Sequence, residues 1–149
     1  MPNLLPDRVR GEYTLTADLT RISVTTIHRW LSTEAYWATG RSRDAVDTAI
    51  DNSYLYAVIA SDGRTVACAR IVTDHVTFAW VCDVFVDAAF RGRGLASWMV
   101  GDIVEYWSSV GVRRILLATR DAQDVYAKVG FAPLAHPERF MEIDRRPAF

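Results

Sequence analysis

Lysine is almost absent from this chain: Lys128 stands alone against sixteen arginines in 149 residues. Where the glycine-bearing stretch Arg91-Gly92-Arg93-Gly94 continues into Leu95 and Ala96, a nucleoside-triphosphate loop would need Lys followed by Ser or Thr, so that fold of phosphate loop is excluded. The arginine excess itself can arise from coding bias and carries no functional inference. Cysteine is scarce too. Cys68 and Cys82 are too few for a disulfide scaffold and lie in no CxxC or Cys/His pattern, so no metal is expected. No apolar run approaches a membrane span, and the start MPNLLPDRVRGEY lacks both the basic region and the apolar length of a secretory signal. A cytoplasmic address and no membrane partner follow as expectations. The formal net charge of -1 argues against a general nucleic-acid binder. With no internal repeat or linker, residues 1–149 read as one domain.

Half the residues are hydrophobic, and their spacing divides the chain into elements. Residues 1–12 read as a loose leader broken by Pro2 and Pro6. Tyr13 to Leu19 alternates as a strand. Ser23 or Thr25 caps a helix to about Ser32 with Ile27, Trp30 and Leu31 inward, and Ser42 caps a second to about Asn52. Tyr54 to Ala60, Thr65 to Thr73 and Thr77 to Asp87 read as strands. If the turn Asp74-His75-Val76 is three residues long, Thr73 faces Thr77 and Cys68 falls opposite Cys82, as a reduced thiol pair in a reducing compartment. A helix follows, with Leu95, Trp98, Met99, Ile103, Tyr106, Trp107 and Val110 on its inner stripe, ended by Gly111. Arg114 to Thr119 is too short for a helix and reads as a buried strand. Asp121 to Lys128 is a short helix, and Phe140 to Ile143 a last edge strand. The order β-α-α-β-β-β-α-β-α-β is an α/β layout: one mixed sheet of about six strands with about four helices.

The organising stretch is Val84 to Ser97. A strand passing to a helix through two glycines leaves the first helical N–H groups unpaired and outward, with Arg91 and Arg93 adding positive charge. This is a socket for a phosphate-bearing ligand. A dinucleotide fold would need a third glycine where Ser97 stands, so the GxGxxG reading fails.

Arg91-Gly92-Arg93-Gly94-Leu95-Ala96 fits the Arg/Gln-x-x-Gly-x-Gly/Ala signature, and in this the chain resembles the GCN5-related N-acetyltransferase (GNAT) superfamily. The strand Val81 to Val86 and the block Tyr126-Ala127-Lys128-Val129-Gly130-Phe131 are similar to that family's other landmarks, in the same order. The resemblance implies acetyl-coenzyme A as acyl donor, its pyrophosphate on the backbone of Arg91, Gly92, Arg93, Gly94, Leu95 and Ala96. It places the pantetheine arm along Val84, Phe85 and Val86, where this strand splays from Arg114 to Thr119. A small-molecule amine is the expected acceptor, on the residues given below, and by the resemblance homodimers are common in such proteins.

Acyl transfer needs an amine freed of its proton and a stabilised departing thiolate. Tyr126 matches the tyrosine the family places near the thioester sulphur. A phenol of pKa about 10 cannot readily protonate a thiolate whose acid has a pKa of about 8.5, so its expected role is hydrogen-bond donation. Asp83 is the candidate base, because a carboxylate in an apolar strand demands either a partner or a function. His75, Glu34 or a water relay are alternatives. Tyr36, Trp37 and Arg41 in the loop between the first two helices, with Phe78 and Trp80, form an aromatic wall beside one arginine, suited to an amino-acid-like amine. A non-catalytic acyl-coenzyme A sensor and a protein or peptide N-acetyltransferase are the competing readings.

Overall fold

The computed structural model describes residues 4–148. Three of the twelve leader residues, 1–3, lie outside that range. The rest of the leader is not loose: Arg8–Arg10 forms β1, turning through Gly11 into β2, Tyr13–Thr16. The chain continues through α1 (Val24–Thr33), α2 (Arg43–Asp51), β3 (Tyr54–Ile59), β4 (Thr65–Thr73), β5 (Ala79–Val86), α3 (Leu95–Ser109), β6 (Ile115–Leu116) and α4 (Gln123–Ala127). The six strands make one sheet in sequence order, antiparallel except for the parallel pair β5–β6. The sheet is mixed, as the sequence predicts, but its membership differs at both ends. β1 is added, and Phe140–Ile143 is no strand. The chain turns over Pro137–Arg139, and the Phe140 ring rests on the Arg114 guanidinium, 5.1 Å away, so a side-chain contact stands where a ladder was expected.

Local signals place the helices well. Ser23 and Ser42 accept the N–H groups of Thr26 and Ala45, which satisfies exposed donors at the starts of α1 and α2. Strand alternation then sorts side chains to two faces. On one, Tyr56, Val58, Ala67, Ala69 and Val81 pack under Leu95, Met99, Ile103 and Trp107 of α3. On the other, Leu55, Ala57, Ile59, Cys68 and Phe85 pack against Ile27, Trp30, Leu31 and Val46. Trp30 stacks on Phe85 at 5.2 Å. Trp98 is only half-buried and Val110 is exposed, so the inner stripe of α3 is narrower than its apolar residues suggest.

Beneath α3, the Trp107 indole N–H donates to the Tyr56 hydroxyl at 3.0 Å, fully buried. Tyr56→Phe would strand that donor in the core and should cost on the order of 1–2 kcal/mol in urea unfolding. A loss near zero would show that the indole finds another acceptor.

The cysteine pairing is corrected. Asp74 Oδ1 accepts the amides of Val76, Thr77 and Phe78, which lengthens the turn so that Thr73 pairs Ala79 instead of Thr77. A bulge then sets Asp83 and Val84 against Ala69, leaving Cys82 opposite Arg70 and Cys68 opposite Phe85. Both thiols are free, and burial pushes them up, Cys82 to about 11, so neither is a ready thiolate. The bulge also exchanges the faces of β5. Ala79 and Val81 point toward α3, whereas past the bulge Phe85 joins the α1/α2 side and Val84 and Val86 take the α3 side. Asp83, at φ +51°, sits at the crossover.

Candidate active site

After β5, Asp87 caps the short turn Ala88–Phe90, and Phe90 is anchored in the core. Gly92 and Gly94 then take φ of +77° and +74°, the left-handed region open to glycine. Gly94 caps α3 without any side chain. The first helical bond runs from Trp98 N–H to the Gly94 carbonyl, and the seven main-chain amides of residues 91–97 donate to no described protein oxygen. Bare amides at the positive end of a helix dipole make an anion cradle. No atom lies within 4 Å of a methyl built on Gly92, so Gly92→Ala costs conformational strain alone. About 1–2 kcal/mol is expected by chemical denaturation, and a neutral result would mean the turn is not held at positive φ.

The arginines beside the cradle are pinned rather than free. Arg91 Nε donates to the Val86 carbonyl at 3.1 Å with its guanidinium over Phe85. Arg93 Nη1 donates to the Tyr13 hydroxyl at 2.7 Å and lies over Phe90. A third cation was missed by sequence reasoning: Arg10 of β1 reaches the Gly94 carbonyl at 3.4 Å. Nothing local signals this contact, because it joins positions 84 apart.

β5 and β6 pair only at Ala79–Ile115 and Trp80–Leu116 and then part. The splay opens a cavity of about 660 Å³ between Val81–Val84 and residues 117–122. Tyr36, Trp37 and Arg41 line it from the α1–α2 loop, with Trp80, Asp83 and Tyr126. Phe78 does not reach it: its amide is drawn into the Asp74 turn, which leaves the ring half-exposed outside the cavity. Phe85 faces Trp30, and Val86 is also not in the lining, so the contact of β5 with the cavity ends at Val84.

Tyr126 projects from α4, which sits close to α3 because Gly101 leaves room for Val129. A Cβ on Gly101 would come within 3.2 Å of Val129. The Tyr126 ring packs edge-on against Phe131, and its hydroxyl bonds to no other described residue. Burial pushes its pKa up to about 12, with the nearby Tyr36 phenol adding to the rise, so it keeps its proton and remains a donor.

Asp83 is buried in the cavity floor and fully engaged. Oδ2 accepts Arg41 Nη1 at 2.8 Å and Arg70 Nε at 3.0 Å, while Oδ1 accepts the Trp37 indole N–H at 3.0 Å. Burial alone would raise its pKa, but the two guanidiniums and the indole outweigh it and hold the carboxyl below the ordinary range. An ionised, paired carboxylate is a weaker proton acceptor than a free one, so of the two readings of Asp83, a partner or a function, the pairing is the one on view. Arg70 was legible by the reasoning that singled out Asp83, being a charge inside an apolar strand.

The alternative bases lie elsewhere. His75 is half-buried. Its Nε2 is 2.8 Å from the Tyr54 hydroxyl and its ring packs on Trp107, away from the cavity. Glu34 caps the C-terminal end of α1 and is exposed outside the lining. Among the described residues no three His, Cys, Asp or Glu side chains gather as a metal site would require.

The fold is shared with known proteins. A structure from Xanthomonas campestris pv. campestris, of a protein assigned to the GNAT acetyltransferases, shares 35% identity and a TM-score of 0.84 over 91% of this chain and 95% of that one. Glucosamine 6-phosphate N-acetyltransferase 1 of Oryza sativa subsp. japonica is 32% identical over 68% of this chain and 64% of its own length. A GNAT family acetyltransferase from Elizabethkingia anophelis, solved with acetyl-CoA bound, has the same fold at a TM-score of 0.65 and 12% identity, over 83% of this chain and 78% of that one. The Acetyltransferase (GNAT) family model matches residues 24–131, which takes in both core faces, the amide cradle and Tyr126. The chain belongs to the acetyltransferase (GNAT) family.

Proposed function

We propose that this protein moves an acetyl group from acetyl-CoA to a primary amine of a small molecule. The observation that carries the reading is the run of bare amides at residues 91–97, reached by the chain directly after β5, whose Val81–Val84 stretch lines the splay together with Tyr126. Gly92 and Gly94 let the backbone approach a pyrophosphate, and hydrogen bonds to a charged acceptor contribute about 1.5–3 kcal/mol each. The edge of β5 from Cys82 to Val86, unpaired by β6, offers backbone groups to the amides of a pantetheine arm. The bound donor supplies the acetyl thioester, and the cavity is of a size suited to a small acceptor. The relative that acts on glucosamine 6-phosphate and the neighbour with acetyl-CoA bound support the same assignment.

In this reading the amine nitrogen loses a proton to water in the cavity and bonds to the acetyl carbon as the carbon–sulphur bond breaks. The leaving sulphur receives a hydrogen bond from Tyr126 and departs as the thiol after taking a proton from water. Asp83 holds Arg41, Arg70 and Trp37 in place and accepts no proton. Two free cysteines suit a cytoplasmic address. The test is free-thiol release from acetyl-CoA across a panel of primary amines. Amine-dependent release is expected. Tight acetyl-CoA binding with no release from any amine would favour a non-catalytic sensor.

A further inference from the structure

The charges lining the cavity do not balance, and the imbalance is confined to one place. Arg120 is matched by Asp121 at 3.3 Å and Arg146 by Asp144. At the floor, by contrast, Arg41 and Arg70 converge on the same oxygen of a single carboxylate, Asp83 Oδ2. Both guanidiniums are largely withdrawn from water, with side-chain exposures of 25% and 15%. A half-buried cation without its own counter-charge is an electrostatic demand that a ligand can meet.

The donors still available have the geometry for it. A guanidinium carries five N–H donors in a planar fork. Arg41 spends Nη1 on Asp83, and its guanidinium has no other described hydrogen-bond partner. Arg70 spends Nε on Asp83 and Nη1 on Ser53 Oγ, which leaves Nη2. Trp37 and Trp80 stand in the same lining, so the cations are set among apolar rings that exclude water and sharpen the charge.

We propose that the acetyl acceptor carries an anionic group, carboxylate or phosphate, received by Arg41 and Arg70 at the cavity floor, and that these two arginines select it over neutral amines. This rests on the acetyl-transfer reading. It extends the expectation of a lone Arg41 to a two-arginine site whose orientation Asp83 maintains.

The test uses matched amines, reading thiol release from acetyl-CoA: an α-amino acid against its primary amide, and phosphoethanolamine against ethanolamine. At least one anionic member should exceed its neutral partner by about tenfold or more in kcat/KM, and the favoured pair tells carboxylate from phosphate. Arg41→Gln and Arg70→Lys should each collapse that preference to under about threefold while coenzyme A binding persists. Neutral amines turning over as well as anionic ones would overturn this inference and leave acetyl transfer standing. An arm independent of turnover covers the case in which no amine reacts. In protein saturated with coenzyme A, acetate and inorganic phosphate are titrated while the Nε–H resonances of Arg41 and Arg70 are followed. Saturable shifts of these signals by either anion support the site even then, and unmoved signals overturn it.

Discussion

Asp83→Asn should lower the stability of the protein by about 3 kcal/mol, because it leaves two largely buried guanidiniums facing each other without a counter-charge. For a chain of this size that corresponds to a fall in Tm of roughly 8–10 °C. The amide can still accept the Trp37 N–H, so the loss reports charge rather than packing. Its pH dependence has a definite sign. The folded-state pKa of Asp83 lies below the value of about 3.9 expected when unfolded, so the unfolded chain takes up the proton first on acidification. The advantage of the native protein over Asp83→Asn should be constant from neutral pH to about 5. It should then shrink as the pH falls through 3.9 toward the folded-state value. A loss under about 0.5 kcal/mol, or one that grows in acid, would contradict the pairing.

Tyr126→Phe should reduce kcat about 100-fold, the ordinary cost of removing one hydrogen-bond donor from a developing charge. Coenzyme A affinity should hardly change, since the cradle at residues 91–97 does not involve this side chain. With its pKa raised to about 12, the native Tyr126 keeps its proton through the alkaline range. The rate should therefore show no decline attributable to it between about pH 7 and 10. Equal turnover by the phenylalanine variant would remove Tyr126 from the chemistry.

These two residues show where the sequence was informative. Helix starts were legible at Ser23 and Ser42 because a cap needs only its own turn, and β4 was read at its observed bounds, Thr65–Thr73. The GxG turn was legible because a strand, two glycines and a helix are contiguous. The Asp74 loop and the bulge at Asp83 were not, since both depend on side chain to backbone bonds and cross-strand register that periodicity does not encode. That is why Cys68 and Cys82 were placed opposite one another. Asp83 was correctly singled out as an anomalous buried charge, but its job depends on Arg41 and Arg70, which lie 42 and 13 positions away. Phe140–Ile143 is rich in apolar residues and was read as an edge strand, but it joins no edge of the sheet, so apolar content alone misled.

The central claim is that a diphosphate is held by main-chain amides just after Phe90, and an amide-resolved nuclear magnetic resonance titration with coenzyme A tests it most directly. The account predicts that the N–H signals of residues 92–97 shift downfield and become protected from exchange, and that pantetheine, which lacks the pyrophosphate, leaves them in place. Signals in this stretch that stay unmoved by coenzyme A, or that move equally with pantetheine, would contradict it.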